Sequence, residues 1–142
     1  MKEERILAID FGEKRIGIAV TDPMNIFAYP LITLQNDNNF LTNLKNIINE
    51  YNVVKVLIGN PIRESGGEPR ILGLIIEMKE KIENKFGLPV ELIDERYSSE
   101  IARQRILETV VSKKKRRDKS LLDKNSAAVI LEDYLKSIEK QI

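Results

Sequence analysis

Cys, His and Trp are all missing from this chain, and the first two absences each remove a class of chemistry. There is no Cys, so neither a disulfide framework nor a thiolate zinc site can form. There is no His, which excludes imidazole metal ligands, Ser-His triads and imidazole acid–base catalysis. Any catalysis must therefore use carboxylates, Lys, Arg, hydroxyls or the backbone. Aromatic residues make up only 6% of the sequence, with none of the basic–aromatic interleaving that stacks nucleobases, so base-specific readout is not expected. No apolar run approaches transmembrane length, and Met1-Lys2-Glu3-Glu4-Arg5 does not lead into a signal-type apolar stretch; a cytoplasmic location is the expectation. The formal net charge is only +1, so any nucleic-acid surface has to be a local patch. A length of 142 residues suits one domain spanning residues 1–142 with a proper core.

The chain is organised around its start. Ile6-Leu7-Ala8-Ile9 is a short apolar run of the kind buried on both faces of a sheet. Ile16 to Val20 resumes it after a charged interruption, and Gly12 is expected to supply the backbone freedom of the intervening turn. Thr21-Asp22-Pro23 marks the next turn. Residues 26–34 read as a third strand that Pro30 confines to an edge or a bulge. Phe40, Leu41, Leu44, Ile47, Ile48 and Tyr51 recur at helical spacing. A β-branched strand over 53–58 enters a loop at 59–67. Ser65-Gly66-Gly67-Glu68 there suggests a capping box for a helix carrying Ile71, Leu72, Ile75, Ile76, Met78 and Ile82. Residues 90–94 form a fifth strand. Helices follow over roughly 98–110 and 121–138, with a basic loop at 112–119 between them. The order β-β-β-α-β-α-β-α-α predicts an α/β fold: a mixed five-stranded sheet, three antiparallel strands and then βα units, flanked by helices.

Three acidic positions stand at element ends: Asp10, the pair Asp94-Glu95, and Asp123. Each has a purely structural explanation. Asp10 could bond its own turn amides. Asp94 and Glu95 could favour the N-terminus of the following helix. Ser120-Leu121-Leu122-Asp123 is itself a plausible capping box. Against this, helical spacing places Asp123 on one face with Ala127, Ile130 and Tyr134, toward the sheet. If the acids meet at one sheet edge, they need cations to offset their repulsion. Oxygen-only ligation suits Mg²⁺ or Mn²⁺. Two such ions about 4 Å apart hydrolyse phosphodiesters without any His.

These stretches resemble the YqgF (RuvX) family of bacterial ribonuclease-H-like proteins, known as Holliday junction resolvases and as nucleases that mature the small-subunit ribosomal RNA precursor. The resemblance spans essentially the whole chain. Ala8-Ile9-Asp10-Phe11-Gly12-Glu13-Lys14-Arg15-Ile16-Gly17-Ile18-Ala19, Ile58-Gly59-Asn60-Pro61, Asp94-Glu95-Arg96-Tyr97-Ser98-Ser99 and Asp123-Lys124-Asn125-Ser126-Ala127-Ala128 carry it. It implies a ribonuclease-H-like fold whose catalytic and metal-binding acids match Asp10, Glu95 and Asp123, with Mg²⁺ or Mn²⁺ as cofactor, two ions being expected. The departures are small: Ser98 and Ser99 replace two Thr, and polar Asn60 stands in the Gly-x-Pro stretch. Consecutive strand residues face opposite ways, so only one of Asp94 and Glu95 should enter the site; the family pattern selects Glu95.

Lys14, Arg15 and Arg96 adjoin the acids, and Lys113, Lys114, Lys115, Arg116 and Arg117 precede the helix bearing Asp123. Such cations suit a phosphate backbone, although a basic run is also an ordinary solvated loop. The expected partner is nucleic acid, structured RNA or branched DNA, with no membrane; a homodimer and a ribosome-associated partner are further expectations. Maturation of ribosomal RNA comes first and junction resolution second, since no dimer face is legible. Two other classes compete. A non-catalytic nucleic-acid-binding module would bind without cleaving. Asp10-Phe11-Gly12 also resembles the phosphate-binding hairpin of the actin, Hsp70 and sugar-kinase superfamily, but those proteins close two such domains around a nucleotide.

Overall fold

A computed structural model describes residues 3–61, 69–95, 104 and 119–139. The five strands are β1 (Arg5–Asp10), β2 (Arg15–Thr21), β3 (Ala28–Gln35), β4 (Val53–Pro61) and β5 (Val90–Glu95). The helices with described bounds are α1 (Phe40–Tyr51), α2 (Pro69–Phe86) and α3 (Lys119–Glu139). The sheet order is β3-β2-β1-β4-β5. The first three strands form an antiparallel meander, and β4 and β5 add in parallel. This is the mixed sheet expected from the sequence, with β1 at its centre. The proposed helix over 98–110 lies outside the described residues apart from Gln104, as does the capping box at 65–68.

Strand alternation divides β1 between two layers. Leu7 and Ile9 join Ile16, Ile18, Val56 and Ile58 in a core closed by Phe40, Leu44 and Ile47 of α1 and by Ile75, Met78 and Ile82 of α2. Ala8 faces the other way and joins Ala19 and Leu57 under Ala127, Ala128, Ile130 and Leu131 of α3. Where α3 crosses β1 and β2 the sheet presents small residues, Ala8, Gly17 and Ala19. Small residues let a helix axis approach the sheet closely, which is how α3 comes to rest on β1, β2 and β3. At its far end Lys55 donates to the Tyr134 hydroxyl at 2.8 Å and pairs with Glu91 at 2.8 Å. The Glu91 carboxylate and the Tyr134 hydroxyl hold the Lys55 ammonium above its usual pKa.

Three expectations need correction. First, β4 does not end at Ile58: Gly59, Asn60 and Pro61 continue the parallel ladder opposite Ile93, Asp94 and Glu95. Pro61 is tolerated because it closes the strand. Second, β5 includes Glu95, so the alternation rule still holds there. Third, α3 has begun by Lys119, which puts Ser120 inside the helix rather than at its cap. The prediction for Pro30 holds in both forms. β3 is an edge strand, and the register slips by one residue between Ile18↔Ile32 and Ala19↔Pro30.

Candidate active site

Asp10 ends β1 on the α3 face, since it follows Ile6 and Ala8 in the two-residue period. Across the antiparallel ladder it stands opposite Gly17. Gly17 belongs to the same face as Ala19, and α3 passes directly over it: a Cβ added there would overlap the Asp123 carbonyl and the Lys124 amide nitrogen. The missing side chain is thus what lets the Asp123 turn of α3 settle beside Asp10. Both acids are half-buried. The sequence pattern named each of them, but the glycine that brings them together was legible only as part of a motif.

The β1–β2 turn is clamped from outside. The Asn36 amide side chain donates to the Gly12 carbonyl at 2.9 Å, and the Asn36 backbone N–H donates to the Lys14 carbonyl at 2.9 Å. Nothing in the spacing of Asn36 along the sequence marks this role. Gly12 itself is needed for space rather than for a left-handed conformation. Among the described glycines only Gly87 has a positive φ, whereas a Cβ at Gly12 would overlap the Arg15 carbonyl. Glu13 in the turn pairs with Arg70 of α2 at 3.3 Å.

The basic residues divide. Lys14 is exposed at the tip of the turn. Arg15 is not simply presented to solvent: its Nε donates to Asp123 Oδ2 at 2.9 Å. Arg96 and Lys113 through Arg117 lie outside the described residues.

Glu95 is placed by its backbone. Continuing the β1–β4 ladder from Ile9↔Ile58 sets Asp10 level with Gly59, which pairs with Ile93. Position 95 is two residues further along β5, on the parity of Glu91 and Ile93. Position 94 has the parity of Val90 and Leu92, which pack in the α1–α2 core. Asp10 and position 95 are therefore two strand spacings apart, about 10 Å across the sheet, and offset by about 7 Å along the strands. The Glu95 side chain is outside the described set. Among the described residues no three Asp, Glu, His or Cys side chains form a group that could hold a metal ion. The candidate ligands whose side chains are described are Asp10 and Asp123. Their donor atoms are hard carboxylate oxygens at the end of a rigid strand and on a packed helix, a set suited to Mg²⁺ or Mn²⁺ and poorly suited to soft or imidazole-seeking metals.

A family model described as "RuvX: Holliday junction resolvase" matches residues 4–137. The chain belongs to the RuvX family. Among curated relatives, a Flavobacterium psychrophilum protein is 39% identical over 132 residues, covering 92% of this chain and 96% of its own. A Flavobacterium johnsoniae protein is 40% identical over 134 residues, covering 94% and 96%. A Dictyoglomus turgidum protein is 39% identical over 137 residues, covering 94% and 95%. All three carry the name "Putative pre-16S rRNA nuclease". Among solved structures, Thermus thermophilus RuvC in complex with Holliday junction substrate aligns with TM-score 0.60 at 13% identity, covering 96% of each chain. The fowlpox virus resolvase with junction DNA aligns with TM-score 0.58 at 16% identity, covering 94% of this chain and 98% of its own. At such identities the likeness is one of fold: this RuvX chain has the RuvC-like ribonuclease-H architecture.

Proposed function

We propose that this RuvX protein is a divalent-metal-dependent nuclease that hydrolyses phosphodiesters in the precursor of small-subunit ribosomal RNA. The observation that carries the reading is that the Asp123 backbone of α3 lies against Gly17, the residue opposite Asp10, in a chain whose curated relatives bear the pre-16S rRNA nuclease name. Residues 1–142 act as one nuclease domain. Asp10 and Asp123 supply carboxylate oxygens from two different elements, and Glu95 completes the set from β5. When bound there, Mg²⁺ or Mn²⁺, two ions in this reading, would supply Lewis-acid activation of water and offset charge at the leaving oxygen. The strand and helix hold the acids so that little reorganisation is needed when the ions arrive. Lys14 positions the sugar–phosphate backbone from the turn, joined by Arg96 and by Lys113, Lys114, Lys115, Arg116 and Arg117. The absence of any His is no obstacle, because this chemistry requires no imidazole. Such an enzyme works in the cytoplasm, on or beside the assembling ribosomal subunit.

A second reading, resolution of four-way DNA junctions, is favoured by the description of the matching family model. The two are separated by incubating the full chain with Mg²⁺ or Mn²⁺ and either precursor 16S ribosomal RNA or a synthetic four-way junction, with EDTA controls. Ion-dependent cleavage of the RNA alone is expected. Cleavage of the junction alone, with symmetric nicks, would transfer the assignment to the second reading. Binding without cleavage of either would mark a binding module.

A further inference from the structure

Arg15 is a described cation in direct contact with a proposed ion ligand. It leaves β2 on the same face as Gly17 and Ala19. Its Nε lies 2.9 Å from Asp123 Oδ2, the two side chains being 31% and 21% exposed. Two roles are open to a guanidinium in this place, and they have opposite signs. It could orient the carboxylate and so help an ion to bind, as hydrogen-bonded neighbours of metal ligands do. Alternatively it could compete, because it occupies an oxygen lone pair and places positive charge where the ion must sit. The geometry favours competition. A paired fork of two N–H donors would fix the plane of the carboxylate, but the described contact is a single bond through Nε. Both groups also keep access to water, so the guanidinium can turn away without leaving a buried charge unpaired.

We propose that Arg15 is a resident counter-cation of Asp123, holding the acid in the ion-free protein and giving way when a divalent ion loads. The inference rests on the metal-nuclease reading above. The test needs no nucleic acid. Mn²⁺ is titrated into the full chain at low ionic strength, where surface charge is least screened, and free Mn²⁺ is followed by electron paramagnetic resonance. Asp123→Asn should weaken binding; if it leaves Mn²⁺ affinity unchanged, the ion site itself has been misassigned. Provided that loss is seen, Arg15→Gln should tighten Mn²⁺ binding by about threefold to fivefold, the worth of one partly exposed ion pair. Arg15→Lys, which keeps the charge, should stay closer to wild type. Unchanged or weaker binding in Arg15→Gln overturns the proposal in favour of an orienting role, and so does equal tightening in both variants. A second measurement requires no substitution. In the wild-type protein the Arg15 Nε–H should lose hydrogen-exchange protection as Mg²⁺ is added; protection retained at saturating Mg²⁺ would contradict the exchange.

Discussion

Asp22 shows how much one side chain can organise. It is buried at the end of β2, and its carboxylate accepts from the N–H groups of Met24, Ile26 and Phe27 at 3.2, 2.7 and 2.6 Å. Burial alone would push its carboxyl up; the backbone donors, Phe27, Ile26 and Met24 in that order, outweigh burial and hold it below the ordinary value of 3.8. A depressed folded-state pKa stabilises the protein above the unfolded value, and that contribution is lost as pH falls through the folded one. Asp22→Ala should therefore cost roughly 1–3 kcal/mol at neutral pH. The gap between variant and wild type in urea denaturation should narrow as pH is lowered from 5 toward 3; a gap that stays constant would show that the charge is irrelevant. The turn at Thr21-Asp22-Pro23 was legible in the sequence because Asp and Pro punctuate turns. That a single carboxylate serves three amides was not, since the loop's closure depends on Phe27 folding back to the start of β3.

At the scale of elements, the apolar strands were readable because β1 and β2 are short runs buried on both faces. The α3 helix shows where such reading weakens. Residues 126–131 are all buried, from 0% to 3% exposed, so this stretch has no solvent face and the usual amphipathic signal fades. Its start was misplaced for a related reason: Ser120 and Asp123 have capping-box spacing, yet the helix already includes Lys119. What fixes α3 on the sheet is the bare position at Gly17. A methyl group there has no room, so Gly17→Ala should destabilise the protein by about 1–3 kcal/mol and displace Asp123, lowering activity more than stability alone explains. Gly73 in α2 provides the opposite sign. A Cβ there meets nothing within 4 Å, and Gly73→Ala should stabilise by roughly 0.5–1 kcal/mol through helix propensity. Chemical denaturation of the two variants side by side checks both; a neutral Gly17→Ala would mean that α3 does not rest where the structure places it.

For the whole molecule, the order of strand and helix patterns was enough to anticipate the mixed sheet; the central position of β1 is a finding of the structure. The acids could be named one at a time, each at an element end. Their placement toward one end of the sheet could not be read, because it depends on which face α3 covers and on how far β4 and β5 extend. β5 runs on to Glu95, and by the two-residue period of a strand position 95 has the backbone parity of Ile93, which is level with Asp10 through Gly59. The basic residues were legible as a group, but the partnership of Arg15 with Asp123 was not, since 108 residues separate them.

The central claim is that Asp10 is an ion-holding catalytic acid rather than a turn-forming residue. Asp10→Asn keeps the shape and removes the charge. Wild type and variant should be compared for Mn²⁺-dependent cleavage of precursor 16S ribosomal RNA, with circular dichroism and RNA binding measured on the same preparations. Cleavage lost by a factor of at least about 10², with fold and RNA binding retained, is the predicted result. A folded Asp10→Asn protein that cleaves at the wild-type rate would contradict it.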